Sequence, residues 1–277
     1  MTLDHIKTKE KLLRLMERDL IHGSSWYFDK TIELLELSKF EDLKKIQETI
    51  SVIRPMGSLS NIVEILTKVK NENELKKIIL NLKEYRKKAM KDLTDMFLNL
   101  DFQSFITISF SSAVFSMVKI VKPGNIYLME SKPGFEAKYA FKEYSKYSNV
   151  KIIPDSTICK FMEESEVIVF GADGIYSDGF IVNKIGSRSL VACGSMLKVP
   201  IYVISESYKA SKVCPCNLKV IDYEIFGHST RIPLFEKLEL EKINFLVTNV
   251  GIYPNPKSAD IINIHNHFIQ SVIKNII

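Results

Sequence analysis

The chain has 277 residues, 46% hydrophobic and 26% charged, a globular balance with enough length for a core that needs no staples. Its net charge of +5 is spread evenly, 19 Lys/Arg against 16 Asp/Glu in residues 1–100 and 19 against 17 afterwards, so no basic arm for nucleic acid stands out. No apolar run approaches the ~18 residues of a membrane span, and the opening MTLDHIKTKEK holds no apolar signal core, so a cytoplasmic location is expected.

Residues 5–97 read as successive amphipathic helices. Ile6, Leu12, Leu13, Leu15, Met16 and Leu20 mark the first, which ends near His22-Gly23. Ser24-Ser25 can cap the second, which carries Trp26, Ile32, Leu34, Leu35 and Leu37. A third covers about Phe40 to Ile53 and is stopped by Arg54-Pro55 and Gly57; a fourth covers Ile62 to Val69. The fifth runs from about Glu72 to Leu98, with apolar residues at three- and four-residue steps.

The period changes after Leu100. Short apolar runs at Phe105–Ile108, Asn125–Met129, Val150–Ile153, Val167–Phe170, Ile201–Ile204 and Phe245–Thr248 read as strands. Helical segments fall between most of them, at about Ala113–Val121, Gly134–Tyr147, Ser156–Glu163 and Ser187–Lys198, and a last one spans about Ser258–Lys274. This alternation predicts an α/β fold: an all-helical N-terminal domain over 1–100, then a mostly parallel, doubly wound sheet domain over 101–277. Lys209–Arg231 gives no clear pattern.

The stretch VIVFGADGIYSDGFIVNKIGSRSLVACGSMLKVPIYVISESY, Val167 to Tyr208, reads as strand, loop, helix, strand. Ligands of such sheets sit beyond the carboxyl ends of the strands, which here carry Gly171, Asp173, Gly174, Asn183, Lys184 and Gly186. Asp173 can accept hydrogen bonds from sugar hydroxyls or move a proton; a turn aspartate is the plainer alternative. Asn183-Lys184 before a helix start suits a phosphate, or is a polar loop. Arg54 can reach a second phosphate, or cap a helix C-terminus. Thr107, Ser109, Ser111 and Ser112 lie at the same sheet edge, with no histidine base nearby in sequence.

No GxGxxG follows a strand and no GxxxxGK[ST] occurs, which argues against nicotinamide, flavin or P-loop chemistry, and no cofactor is expected. His265 and His267 stand two apart in the last helix and read as surface or packing residues. Cys159, Cys193, Cys214 and Cys216 suit a reduced protein. Cys214-Pro-Cys216 is too short for a zinc clip with no second pair following, so no metal is expected; a disulfide involving that loop stays open.

The segments GAD, NKIGSRSLV and VPIYVISESYK resemble the signature region of the translation initiation factor 2B family. That family includes the factor's alpha, beta and delta subunits, methylthioribose-1-phosphate isomerase and ribose-1,5-bisphosphate isomerase. In the isomerases the equivalent of Phe105–Ser109 resembles ILTHC, and that Cys and the Asp of GAD form the catalytic pair. Here Asp173 is kept, Ser109 takes the Cys position and Ile108 the His. A serine hydroxyl is a far weaker acid than a thiol of pKa about 8.5 and does not readily supply a base.

Thr107–Ser111 is more similar to the THSYS of the factor subunits. His22-Gly23-Ser24-Ser25-Trp26 stands where the isomerases carry an Arg-Gly-Ala phosphate motif, and Arg54–Leu59 resembles an RPSM-like segment of the alpha subunit. Glu130-Ser131-Lys132-Pro133 is similar to ESRP with Lys132 for Arg, which weakens a bidentate anion contact. Phe235–Leu238 departs from FDVTP, which puts its dimer-edge and pocket roles in doubt.

The resemblance thus implies an alpha-like, non-catalytic regulatory subunit with a Rossmann-like C-terminal domain; the alternative is an aldose–ketose isomerase. It implies homodimers or higher homo-oligomers and contact with the alpha subunit of translation initiation factor 2, with no direct nucleic-acid contact. It also implies a sugar-phosphate or nucleotide pocket drawing on His22, Arg54, Lys132, Asp173, Asn183 and Lys184.

Overall fold

The computed structural model describes residues 8–19, 22–54, 56–215 and 217–274. The expectations for Ile6, Leu20, Pro55 and Cys216 lie outside them. Among the described residues, five helices come first: α1 (Lys9–Arg18), α2 (Ser24–Glu36), α3 (Leu43–Ile53), α4 (Gly57–Leu66) and α5 (Glu72–Met96). Local chemistry sets several starts. Thr8 accepts a hydrogen bond from the Lys11 N–H at α1, and Asn71 accepts one from the Glu74 N–H at α5.

The sheet elements follow in order: β1 (Ser104–Thr107), α6 (Ser112–Val121), β2 (Asn125–Met129), α7 (Glu136–Tyr144), β3 (Asn149–Ile153), α8 (Ile158–Met162) and β4 (Val167–Gly171). Then come β5 (Gly174–Tyr176), β6 (Phe180–Lys184), α9 (Ser187–Leu197), β7 (Ile201–Ile204) and β8 (Ala210–Ser211). The chain closes with β9 (Val220–Ile225), β10 (His228–Pro233), β11 (Phe235–Glu239), β12 (Phe245–Thr248), β13 (Gly251–Pro254) and α10 (Ser258–Ile273).

The main sheet has seven strands in the order β13-β12-β7-β4-β1-β2-β3, parallel except for β13. Its strands bury both faces, which is why they read as continuous apolar runs. Side chains alternate between two cores: Phe105, Val167, Val169 and Ile204 face α5, α6 and α7, while Ile106, Ile168, Phe170 and Val203 face the layer of α8, α9 and α10. The helical core of α1–α5 continues into Tyr208 and the α10 residues Phe268, Ile269 and Val272. Phe28 stacks on Tyr208 at 4.2 Å, and Tyr85 meets Phe268 edge-on at 4.9 Å.

Three expectations need correction, and the segment without a clear pattern takes a definite form. Residues between Gly171 and Ser187 are not a loop: β5 and β6 form a hairpin within a second sheet of order β11-β6-β5-β8. The fourth helix begins at Gly57 rather than Ile62. Its first residue, Gly57, leaves no room for a side chain, since a Cβ there would lie 2.2 Å from the Lys209 carbonyl oxygen. Lys209–Arg231 contains β8, β9 and most of β10, the last two paired antiparallel and largely exposed. Finally, Cys159 and Cys193 are disulfide-bonded and tie α8 to α9, against the expectation of a fully reduced chain; Cys214 is buried. His265 is a packing residue, as expected: it is buried, 3.2 Å from the Ala210 carbonyl oxygen and 3.2 Å from Glu64. No described helix is long and apolar enough to cross a membrane.

Candidate functional site

The strand order reverses between β1 and β4, where an open parallel sheet leaves a crevice at its carboxyl edge. A cleft of about 760 Å³ occupies that position. Its wall is built from the start of α2, the loop after β1, one side of α7, the Gly171–Asp173 corner after β4 and the end of β6. Gly171 permits the closure, because a Cβ there would lie 2.4 Å from Ser111 Oγ at the N-cap of α6.

Asp173 sits at the floor, and its Oδ1 accepts the Ser24 N–H at 2.8 Å. The carboxylate therefore caps α2 from the sheet; the expected cap by Ser24-Ser25 does not form, and Gly23 is the N-cap residue. Burial raises the Asp173 carboxyl, against the opposing pull of Lys209, the Ser24 N–H, Arg54 and Lys184. Ser109 lies across the cleft in a left-handed conformation (φ 61°), its N–H donating to Ser131 Oγ at 2.8 Å.

Lys184 is buried and already paired, its Nζ 2.6 Å from Glu136 Oε1. Asn183 Nδ2 donates to Ser187 Oγ at 2.9 Å, which fixes the end of β6 to the first turn of α9. Lys209, also buried, pairs with Glu206 Oε2 at 2.8 Å. Glu206 Oε1 accepts from Ser25 Oγ (3.1 Å) and Tyr208 OH (2.9 Å). Burial works to raise the Glu206 carboxyl, but Lys209 and Arg86 outweigh it and hold it at about 2. Arg86 in turn grips Asp29 through Nε at 3.0 Å.

His22, Ser109, Asp173, Asn183 and Lys184 therefore line one cleft. The His22 ring stacks on Trp26 at 4.6 Å and meets Asp19 at 2.7 Å. Arg54 and Lys132 do not line it. Arg54 is buried behind the α2 start, where its guanidinium donates to the Asp19 and His22 carbonyls and lies over the Tyr27 ring. Asp19 is the C-cap of α1, so Arg54 caps a helix end, the plainer of its two sequence readings. Lys132 is exposed and pairs with Glu130 at 3.2 Å. Phe235, the residue of Phe235–Leu238 that keeps the expected motif, lines the cleft.

Sequence reasoning passed over Glu136, Glu206, Lys209 and Arg86. Glu206 and Lys209 had a readable signal, opposite charges three apart directly after a strand. The Glu136–Lys184 pair, 48 residues apart, had none.

A floor of carboxylates and ammonium groups beneath an apolar, partly aromatic wall suits a small polar ligand with hydroxyl groups. This architecture is that of a doubly wound α/β protein, a class in which the crevice at the strand reversal is the usual place for a ligand. More narrowly, the chain belongs to the initiation factor 2 subunit family, whose profile matches residues 25–254. It is 29% identical over 269 residues to a putative translation initiation factor eIF-2B subunit 2-like protein of Pyrococcus furiosus, covering 89% of this chain and 96% of that one. It is also 26% identical over 255 residues to the ribose 1,5-bisphosphate isomerase of Methanocaldococcus jannaschii, covering 82% of each. The crystal structure of the Pyrococcus horikoshii OT3 translation initiation factor eIF-2B superposes with a TM-score of 0.83 at 25% identity, covering 90% of this chain and 97% of that chain. The 5-methylthioribose 1-phosphate isomerase of the same organism shares the fold, with a TM-score of 0.70 at 15% identity and coverage of 94% and 88%.

Proposed function

We propose that this protein is a non-catalytic, alpha-like regulatory subunit of the initiation factor 2B type. It binds the alpha subunit of translation initiation factor 2 in the cytoplasm and holds a sugar phosphate or nucleotide in the cleft without converting it. In this reading residues 1–100 and 101–277 act as its two domains, and the chain works as a homodimer or larger homo-oligomer. The observation that carries it is Ser109, an alcohol where the isomerase resemblance puts the proton-shuttling thiol. No described cysteine lines the cleft: Cys159 and Cys193 are bridged, and Cys214 lies beside Asp178, whose carboxylate accepts its N–H. Asp173 supports ligand holding equally well, since its charge already serves as the cap of α2.

The test has two arms. Purified protein is given ribose 1,5-bisphosphate or 5-methylthioribose 1-phosphate in a coupled ketose assay, and is used as bait for the factor 2 alpha subunit. No turnover together with capture of the subunit is expected. Turnover that disappears in Asp173→Asn overturns the binding reading in favour of an isomerase.

A further inference from the structure

The β9–β10 ribbon stands apart from the two cores of the main sheet. Among the described residues its strands pair only with each other, and the Leu234 N–H donates to the Lys219 carbonyl at 2.9 Å to close its base. None of its side chains belongs to a described core. Yet it is patterned. The register pairs Ile221 with Ile232, Tyr223 with Thr230 and Ile225 with His228 on one face. Asp222 with Arg231 and Glu224 with Ser229 share the other. At the tip, Phe226 and Gly227 are both left-handed (φ 50° and 79°), and Phe226 is 98% exposed where glycine or asparagine is favoured. A lone two-stranded ribbon is marginal in water, and three or more strands with an apolar face are needed to hold one. This ribbon lacks a strand.

Unpaired strand edges are templates for another strand, and the two edges here are not equivalent. If β9 met a second copy of itself antiparallel about Tyr223, Asp222 would face the copy's Glu224; about Asp222, that carboxylate would face its own copy. Like charges directly opposite are destabilising. β10 carries no acid. Antiparallel pairing of two β10 strands about Thr230 sets Thr230 against Thr230, Ser229 against Arg231 and His228 against Ile232. One row across the four strands then reads Asp222, Arg231 and the second copy's Ser229 and Glu224. Arg231 thus stands between its own Asp222, 3.9 Å away, and an acid of the second copy, across a small serine. The two-fold axis is perpendicular to the sheet, so both apolar faces join on one side. Pro233 has no N–H and ends the pairing. Residues 219–233 hold two acids, Asp222 and Glu224, and two bases, Lys219 and Arg231. That balance draws neither a polyanion nor an anionic membrane and suits a copy of itself.

We infer that β10 is a self-association edge, through which two copies of this chain join antiparallel about Thr230 into a four-stranded sheet. This rests on the homo-oligomer reading and names a surface for it.

The test is disulfide trapping on the full chain under mild oxidation, with sedimentation velocity to report the oligomer. Thr230→Cys puts new thiols directly opposite one another across the axis. Phe226→Cys, also exposed, lies at the tip away from the axis, and wild type sets the background of the native cysteines. Thr230→Cys is expected to form a covalent dimer at least tenfold faster than Phe226→Cys. Adding Arg231→Glu should slow that trapping at least tenfold, and adding Asp222→Arg and Glu224→Arg to it should restore the rate. Melting should stay unchanged throughout, because the ribbon belongs to no described core. Equal trapping at the two positions overturns the contact as random collision, and so does a loss that the charge reversal fails to restore. With wild type oligomeric in sedimentation, either result leaves the homo-oligomer reading standing. A monomeric wild type overturns both.

Discussion

Glu206→Gln is the perturbation whose cost can be worked out most directly. Glu206 is fully buried between Lys209 at 2.8 Å and Arg86 at 3.7 Å, and it accepts from Ser25 and Tyr208. Its carboxyl is held at about 2 rather than 4.5. A carboxyl lowered in the folded state stabilises above its ordinary pKa and loses that contribution as pH falls toward the folded value. The displacement is worth about 3 kcal/mol at neutral pH. A second route agrees: removing one partner of a buried pair costs about 3–5 kcal/mol. That is a large share of the roughly 5–15 kcal/mol that holds a domain folded. Urea unfolding of wild type and variant at pH 7 should show a gap of about 3 kcal/mol, and the gap should narrow as pH falls from 4.5 toward 2. A gap below about 1 kcal/mol at pH 7, or one that does not shrink in acid, refutes the reasoning.

Three further outcomes follow. The Cys159–Cys193 bridge closes a separation of 34 residues, so its loss should lower unfolding free energy by about 4 kcal/mol, read from urea curves of Cys159→Ser/Cys193→Ser; coincident curves contradict it. Gly57→Ala drives a Cβ into the Lys209 carbonyl and should destabilise by about 1–3 kcal/mol while weakening ligand binding, measured by melting and titration. Asp173→Asn should raise Tm at pH 7 and leave it unchanged near pH 3. Burial raises that carboxyl, so its favourable contribution exists only below its ordinary pKa and fades as pH climbs through the folded value; a lower Tm at pH 7 contradicts this.

The central strands were readable because burial on both faces leaves runs such as Val167–Phe170 with no polar interruption. Among the floor residues, Asp173 was readable because it follows a strand, and Asn183 and Lys184, the last two residues of β6, because they precede the start of α9. The β5–β6 hairpin was hidden by its brevity: Gly174–Tyr176 is three residues, and the turn Ser177-Asp178-Gly179 makes the whole look like loop. Exposed β9 and β10 bury too little to show a period. The use made of Lys184, and of Arg54, depends on partners distant in sequence, Glu136 for one and the end of α1 for the other. Cys159 and Cys193 meet only because α8 packs on α9.

The most direct measurement is phosphorus NMR of ribose 1,5-bisphosphate incubated with the purified protein. The account predicts that its resonances shift or broaden through binding while the aldose stays intact over hours. A growing ketose signal that vanishes in Asp173→Asn would contradict it.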